Sequence, residues 1–500
     1  MSSHPNIVLI MTDQQRADFS RAEGYALDPM PFLDQLGSQG ARFRHAYTPM
    51  PTCGPARCSL MTGRYPKATR VRENSGLGNI TALTDMPKTL RDHGYSVNLA
   101  GKNHTYLTDD DFDWASMYMH AGGGREDRRT ESDAEFDDWL KSLDHGVHPE
   151  PAPFPIENQL PYRVVSDAMA CLDERRKDQP FFLWLSFAEP HNPYQVPDPY
   201  FSMFPEDALP ERATGPEAIN IKGGKWRWMR DLIEHKRPGY DDAWRRYRAN
   251  YLGMIRLIDD QVRRFVDYLD TSGQRQNTVL IFMADHGDYA GDYGLQRKGV
   301  SLPECLVRVP LIFTGPGIQG GEGLRNEFVS LVDVFPTICD MLDVPLADGI
   351  QGRSLWPMLR GEPFPPDEFR GVYSELGVGG LHYTADERPA LHFPYEGTTF
   401  DCLNSVTQSG NLKMVRMGDW KLMFDSQGNG EMYDLAADPA ELDNRFGHPD
   451  HRDQQLALAT ELLQWSIRTE DDLPGGRYMR KRDGRNWYAA PSVDVAGIVE

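Results

Sequence analysis

The sequence predicts an α/β fold: a large, mostly parallel sheet sandwiched by helices, followed by a small C-terminal α+β subdomain that contains an antiparallel sheet. Three observations predict it. Short apolar runs without polar alternation read as strands buried on both faces. Helical patterns separate those runs, as parallel strands require. The last part of the chain changes to shorter segments joined by Gly and Asn. At 500 residues the chain exceeds the size at which one hydrophobic core usually stops growing. We therefore expect one domain over residues 1–375 and a smaller subdomain over 376–500, with the junction between 375 and 411.

The opening run PNIVLIMTD is the first buried strand, and it leads directly into Asp13. A helix with Val165, Met169 and Leu172 on one face precedes a second strand, PFFLWLSFAEPH, between Pro180 and His191. From about Asp241 to Leu269, residues Tyr251, Ile255, Ile258, Val262 and Phe265 recur at helical spacing. That helix stops at Thr271-Ser272-Gly273, and NTVLIFMADHGD follows as another strand ending in acidic and histidine residues. RVPLIFTGPG, from Arg308, is a further strand closed by a Gly-Pro-Gly turn. Each polar cluster sits just past the C-terminal end of a strand, where open α/β sheets place their ligands. In the tail, the segment from Met414 to Leu435 reads as two strands joined by a Gly/Asn turn, and a helix follows from Arg452 to Ile467. Residues 109–155 and 198–238 are polar and interrupted by Pro and Gly, so they are expected as loops around a site.

Composition narrows the function classes. Hydrophobic residues make up 40% and charged residues 25%, as in ordinary soluble globular proteins. No apolar run approaches the ~18–20 residues of a membrane span. The N-terminus reads as a strand and not as a signal peptide, so a cytoplasmic protein is expected. The net charge of −21 argues against nucleic acid as a partner, and any anion site must be a local concentration of cations. Six irregularly spaced cysteines suggest neither a disulfide framework nor a zinc site. The sequence is silent on oligomeric state.

One segment decides the chemistry. Thr52-Cys53-Gly54-Pro55-Ala56-Arg57 carries C-x-P-x-R and runs on to Thr62-Gly63-Arg64. It resembles the signature of the formylglycine-dependent (type I) sulfatases, members of the alkaline-phosphatase-like superfamily, in which this cysteine is oxidised to formylglycine by a maturation enzyme. A second segment, Gly94-Tyr95 through Gly101-Lys102-Asn103-His104, resembles that family's G-K-x-H signature. The resemblance implies a sulfuric ester hydrolase acting through a formylglycine gem-diol nucleophile and a covalent sulfo-enzyme intermediate. It assigns Arg57 to stabilising the nucleophile, Lys102 to the formylglycine and sulfate, and His104 to the proton of the second hydroxyl.

The same resemblance implies one divalent cation held by Asp13, Gln14, Asp285, His286 and the group made from Cys53. Calcium is the expected ion, since oxygen ligands suit it. Gln14 and His286 stand where many members have Asp and Asn, which keeps manganese and magnesium as alternatives. Asp285 is also a candidate base for the attacking hydroxyl. His191, in Glu189-Pro190-His191-Asn192-Pro193, resembles the family's P-H-x-P segment and is assigned with Lys102 and Lys298 to sulfate binding. Arg297, beside Lys298, leaves a one-residue ambiguity there. The expected substrate is a sulfated small molecule or oligosaccharide, with Trp226, Trp228, His382 and His392 as candidate sugar contacts. The alternatives are a phosphonate monoester or phosphodiester hydrolase using the same formylglycine site, or a non-catalytic anion-binding relative. Cys58, Cys171, Cys305, Cys339 and Cys402 are read as packing residues.

Overall fold

The computed structural model describes residues 4–321, 323–381, 410–470 and 485–489. Nine strands make one sheet: β1 (Asn6–Thr12), β2 (Ala41–Tyr47), β3 (Ser96–Gly101), β4 (Trp114–Met119), β5 (Gly122–Gly123), β6 (Phe181–Ser186), β7 (Thr278–Ala284), β8 (Leu311–Thr314) and β9 (Leu324–Ser330). Their order is β5-β4-β3-β6-β1-β7-β8-β2-β9. β1 lies in parallel register between β6 and β7, and β3 in parallel between β4 and β6. β5 and β8 run against their neighbours. The expected mostly parallel sheet is therefore present.

Burial on both faces explains the unalternating strand sequences. In β1, Val8 and Ile10 join one core with Leu183, Leu185 and the helical residues Val165, Leu172, Ile255, Ile258, Val262 and Phe265. Ile7, Leu9 and Met11 point the other way, into a core with Phe182, Trp184, Leu60, Met61, Phe335 and Ile338. The predicted helices span Leu160–Glu174 and Trp244–Thr271. Burying a Leu- or Phe-sized side chain is worth roughly 1.5–3 kcal/mol, so each strand contributes to two cores at once.

The second sheet is antiparallel: β10 (Gly371–Gly379), β11 (Gly410–Met417), β12 (Trp420–Asp425) and β13 (Gly430–Asp434). The helix Arg452–Arg468 packs Leu458, Leu462 and Trp465 against Val415, Leu422 and Met432. The opposite face, Met414, Met423 and Tyr433, packs on Tyr47, Met50 and Leu302. Glu304 joins the two sheets through Tyr47 at 2.7 Å, Arg416 at 2.5 Å and Lys421 at 3.1 Å.

Four expectations need correction. The segment Met414–Leu435 holds three strand segments and not two, because Gly418-Asp419 makes a two-residue hairpin that pairs Met417 with Trp420. Gly418 has φ 55°, a conformation glycine adopts without the cost of a Cβ. Residues 109–155 are not all loop: they hold β4 and the edge strand β5 of the main sheet, and a helix at Glu131–Ser142. Likewise 198–238 holds the helix Gly224–Lys236. Trp226 and Trp228 are 0% and 1% exposed, packed with Met229, Tyr289, Tyr293 and Leu295, so they are core residues and not sugar contacts. His382, His392 and Cys402 lie outside the described residues. No disulfide forms among the described cysteines, and no described helix is long and apolar enough to cross a membrane.

Candidate active site

Five parallel strands end on one rim of the sheet, and each is followed by a polar group. Asp13 and Gln14 follow β1, Lys102 follows β3, His120 follows β4, His191 follows β6, and Asp285 and His286 follow β7. The loops leaving these strands stay tied by ladder-like backbone bonds. Lys102 N donates to Ser186 O at 2.8 Å, Asp13 N to Glu189 O at 3.1 Å, and Asp285 N to Thr12 O at 3.1 Å. Gly101, with φ 117°, makes the approach of β3 to β6 possible, since a Cβ there would sit 1.7 Å from Ser186 O.

Cys53 is the first residue of the buried helix Cys53–Thr62. Its Sγ lies 3.5 Å from Asp13 Oδ1 and 3.2 Å from His286 Nε2. His286 Nε2 is 3.8 Å from Asp13 Oδ1 and 3.7 Å from Asp285 Oδ1. One ligand atom from each of Asp13, Cys53, Asp285 and His286 falls within 4.8 Å of all the others. Two ligands about 2.4 Å from one cation at right angles lie roughly 3.4 Å apart. The residues therefore fit a single divalent ion, with carboxylates and an imidazole around it. Gln14, expected among the ligands, holds φ 70°. Its Nε2 donates to Asp288 at 2.6 Å and Tyr194 at 3.2 Å, and its Oε1 accepts from Lys298 Nζ at 3.0 Å.

Arg57 crosses beneath the cluster without exposure to solvent. It donates to Asp285 Oδ2 at 2.8 Å, Asp13 Oδ2 at 3.3 Å, Lys102 O at 2.9 Å and Ser186 Oγ at 2.8 Å. Burial penalises the Asp13 carboxylate, yet the positive charges beside it, Lys102 first and Arg57 with it, hold it well below the usual carboxylate range. Burial and Asp13 also oppose ionisation of Cys53, but Lys102, Lys298 and His286 pull its thiol well below the ordinary value. For Asp285, burial and Asp13 win and its carboxyl is pushed up. His286 pays for burial too, and Asp285 and Cys53 lift its imidazole above normal. These opposed shifts mark a compact charge network at the place where the chemistry was expected.

The remaining predicted cations divide. Lys102 Nζ forms a short ion pair with Asp13 Oδ2. Lys298 Nζ reaches Gln14 and, at 3.2 Å, His191 Nε2. Arg297 instead supplies its backbone N to Asp288 at 2.9 Å, so Lys298 is the residue that faces the site. His104 is half-buried with φ 49°, and no hydrogen bond among the described residues joins it to Lys102 or Cys53. Beside Lys102 stands a further residue that the sequence alone does not single out. His120 Nε2 lies 2.8 Å from Lys102 Nζ, and its ring stacks on His191 with centroids 3.6 Å apart. His145 meets both rings edge-on. A usable signal existed: His120 closes the strand-like run WASMYM, as Asp13 and Asp285 close theirs.

Residues 5–344 match the family model described as Sulfatase. An arylsulfatase of Clostridium perfringens is 28% identical, covering 95% of this chain and 97% of its own. An N-acetylglucosamine-6-O-sulfatase of Bacteroides thetaiotaomicron is 24% identical, covering 95% of this chain and 88% of its own. The solved phosphonate monoester hydrolase of Agrobacterium radiobacter superposes with a TM-score of 0.75 at 25% identity, covering 93% of this chain and 96% of that one.

Proposed function

The chain belongs to the sulfatase family, of alkaline-phosphatase-like fold, and on that premise we propose that it hydrolyses sulfate monoesters of a carbohydrate through a formylglycine made from Cys53. The observation that supports this most is the meeting of Cys53, Asp13, Asp285 and His286 within 4.8 Å, with Arg57 bonded to both carboxylates. In this reading residues 1–375 carry the chemistry and residues 376–500 form the smaller subdomain. The Sγ of Cys53 stands for the formylglycine oxygen. The hydrated aldehyde would offer one hydroxyl to attack sulfur, breaking the ester S–O bond and releasing the substrate alcohol, and a second whose ionisation breaks the C–O bond to the sulfated oxygen, expels sulfate and restores the aldehyde.

The other residues then have distinct work. Arg57 holds the two carboxylates and keeps positive charge beside the nucleophile. Asp285, with a carboxylate oxygen within 4.8 Å of the Cys53 sulfur, takes the proton of the attacking hydroxyl. Lys102 and Lys298 grip the sulfo oxygens, His191 completes the sulfate site through its contact with Lys298 Nζ, and His104 takes the proton of the second hydroxyl. Asp13, Gln14, Asp285 and His286 would hold one divalent ion, calcium with manganese or magnesium as alternatives. That ion supplies positive charge favouring the ionised hydroxyl. A maturation enzyme that oxidises Cys53 is the required partner. The N-acetylglucosamine-6-O-sulfatase relative supports a sulfated mono- or oligosaccharide as the native ester.

A second reading is a phosphonate monoester or phosphodiester hydrolase. It is favoured by the Agrobacterium structure and by the Asp285-His286 doublet, and tetrahedral phosphorus makes similar demands on charge and in-line geometry. Rates on matured protein separate the two readings. Sulfate release from aryl and sugar sulfates is compared with cleavage of phosphonate monoesters and phosphodiesters, after mass spectrometry has established the state of Cys53. Faster sulfate esters support the first reading; faster phosphonates or diesters replace it with the second.

A further inference from the structure

Asp13 and Gln14 each receive a lysine ammonium group, and the far side of each ammonium meets an imidazole. Lys102 Nζ lies between Asp13 Oδ2 and His120 Nε2. Lys298 Nζ lies between Gln14 Oε1 and His191 Nε2. The two imidazoles stack nearly parallel, at 16° and 3.6 Å. The result is a closed frame: two neighbouring residues of one loop, two ammonium groups, and a stacked histidine pair.

Hydrogen-bond logic fixes the protons of this frame. An ammonium group only donates, so Nε2 of both histidines accepts. His191 Nδ1 then carries the proton and donates to Asn192 O at 2.8 Å. Two neutral imidazoles can stack at this distance between two cations, whereas two imidazolium rings would repel. His120 enters the frame from the short turn between β4 and β5, and is half-buried where His191 is 2% exposed.

We infer that His120 is a positioning residue which, stacked on His191, holds Lys102 and Lys298 at the separation that grips one tetrahedral oxyanion. This rests on the reading of the site as one for a sulfate or phosphonate ester. A lysine side chain held by one contact alone can still swing about its four bonds, and ordering it on binding weakens affinity. Fixing two such side chains beforehand is worth on the order of 5- to 100-fold in affinity for the anion.

Three variants separate the two contacts of His120. His120→Ala removes the acceptor and the stack, His120→Phe keeps a ring to stack but no acceptor, and His120→Gln keeps an acceptor. The readouts on matured protein are inhibition by inorganic sulfate and by methylphosphonate, KM and kcat on whichever ester the parent cleaves, and metal content. The Ala and Phe variants are expected to weaken both anions by about 5- to 100-fold and to raise KM, with kcat changed far less. His120→Gln is expected to recover to within about threefold of the parent, because an acceptor there restores the second contact that, with Asp13, fixes Lys102. Metal content stays at the parental level throughout. Unchanged anion inhibition in His120→Phe, a Gln variant as weak as Phe, or a parent that binds neither anion would each overturn the inference. A parent that cleaves only phosphonates fails the sulfatase reading and leaves this comparison intact with methylphosphonate.

Discussion

Replacing Arg57 by Met keeps an unbranched apolar stem, shorter by the guanidinium, and removes the charge and every donor. In the parent, the guanidinium satisfies Asp285 Oδ2, Asp13 Oδ2, Lys102 O and Ser186 Oγ, all without solvent. Met leaves the Asp285 carboxylate buried beside Asp13 with no cation in contact on that side, while Lys102 still pairs with Asp13. Removing one partner of a buried ion pair costs about 3–5 kcal/mol. Unfolding entropy near 2.1 cal/mol/K per residue gives about 1 kcal/mol/K for a chain of 500 residues. The expected loss is therefore ~3–5 °C in Tm. Calorimetry is run with metal in excess and again with chelator, because a bound cation offsets part of the stranded negative charge and adds stability by mass action. The loss should be larger in chelator. Adding Asp285→Asn to Arg57→Met removes the stranded charge, so the double variant should lose less than the sum of the single variants. A drop below about 1 °C in chelator, or strictly additive losses, would refute the account of Arg57 as the counter-ion of this site.

Cys53→Ala should abolish turnover while Tm stays within about 1 °C, since Ala occupies the first helical turn without strain; residual ester hydrolysis at the parental rate would remove Cys53 from the mechanism. Asp285→Ala should lose the divalent ion and activity together, as chelation of the parent should, and elemental analysis showing parental metal content would refute the ligand assignment. His45 supplies a pH test remote from the site. Burial, Arg416, Arg308 and Arg44 depress its imidazole from 6.5 to about 3, and its Nδ1 is buried without a partner among the described residues. Below pH 6.5 the unfolded chain binds a proton that the folded chain refuses, so stability falls as pH drops from 6.5 toward 3. His45→Phe keeps the stack on Phe328 and removes that proton. Because the ring is partly exposed, the variant should save only about 1 kcal/mol between pH 6.5 and 5, and parallel Tm–pH curves for the two proteins would contradict this.

The legible parts of the fold were those whose burial leaves a mark in the local sequence. β1, β6 and β7 are buried on both faces, so each reads as an unbroken apolar run. The long helix could be read because its buried positions recur at helical spacing. β4 is not legible because it lies second from the edge of the sheet, covered outside only by the two-residue β5, and Trp114–Met119 mixes buried with exposed residues. Losing that strand also lost His120, although the rule that found Asp13 and Asp285 applies to it unchanged. The hairpin at Gly418-Asp419 was passed over in favour of the longer Gly- and Asn-containing turn further on.

The sequence by itself determined which chemical groups the site can draw on: the Cys53–Arg57 signature, Lys102, His191 and the Asp285-His286 doublet, in a chain whose net charge confines anion binding to a local nest. Only the tertiary structure decided which of them touch. Sheet order brings the end of β4 beside those of β3 and β6, and so gives Lys102 the imidazole of His120 as its partner. It also turns the Gln14 amide toward Asp288 and Lys298. The physical reason is that apolar periodicity records whether a residue is covered, whereas a hydrogen bond depends on which distant strand supplies the cover. That choice is made by packing across the whole sheet, and a local pattern carries no trace of it.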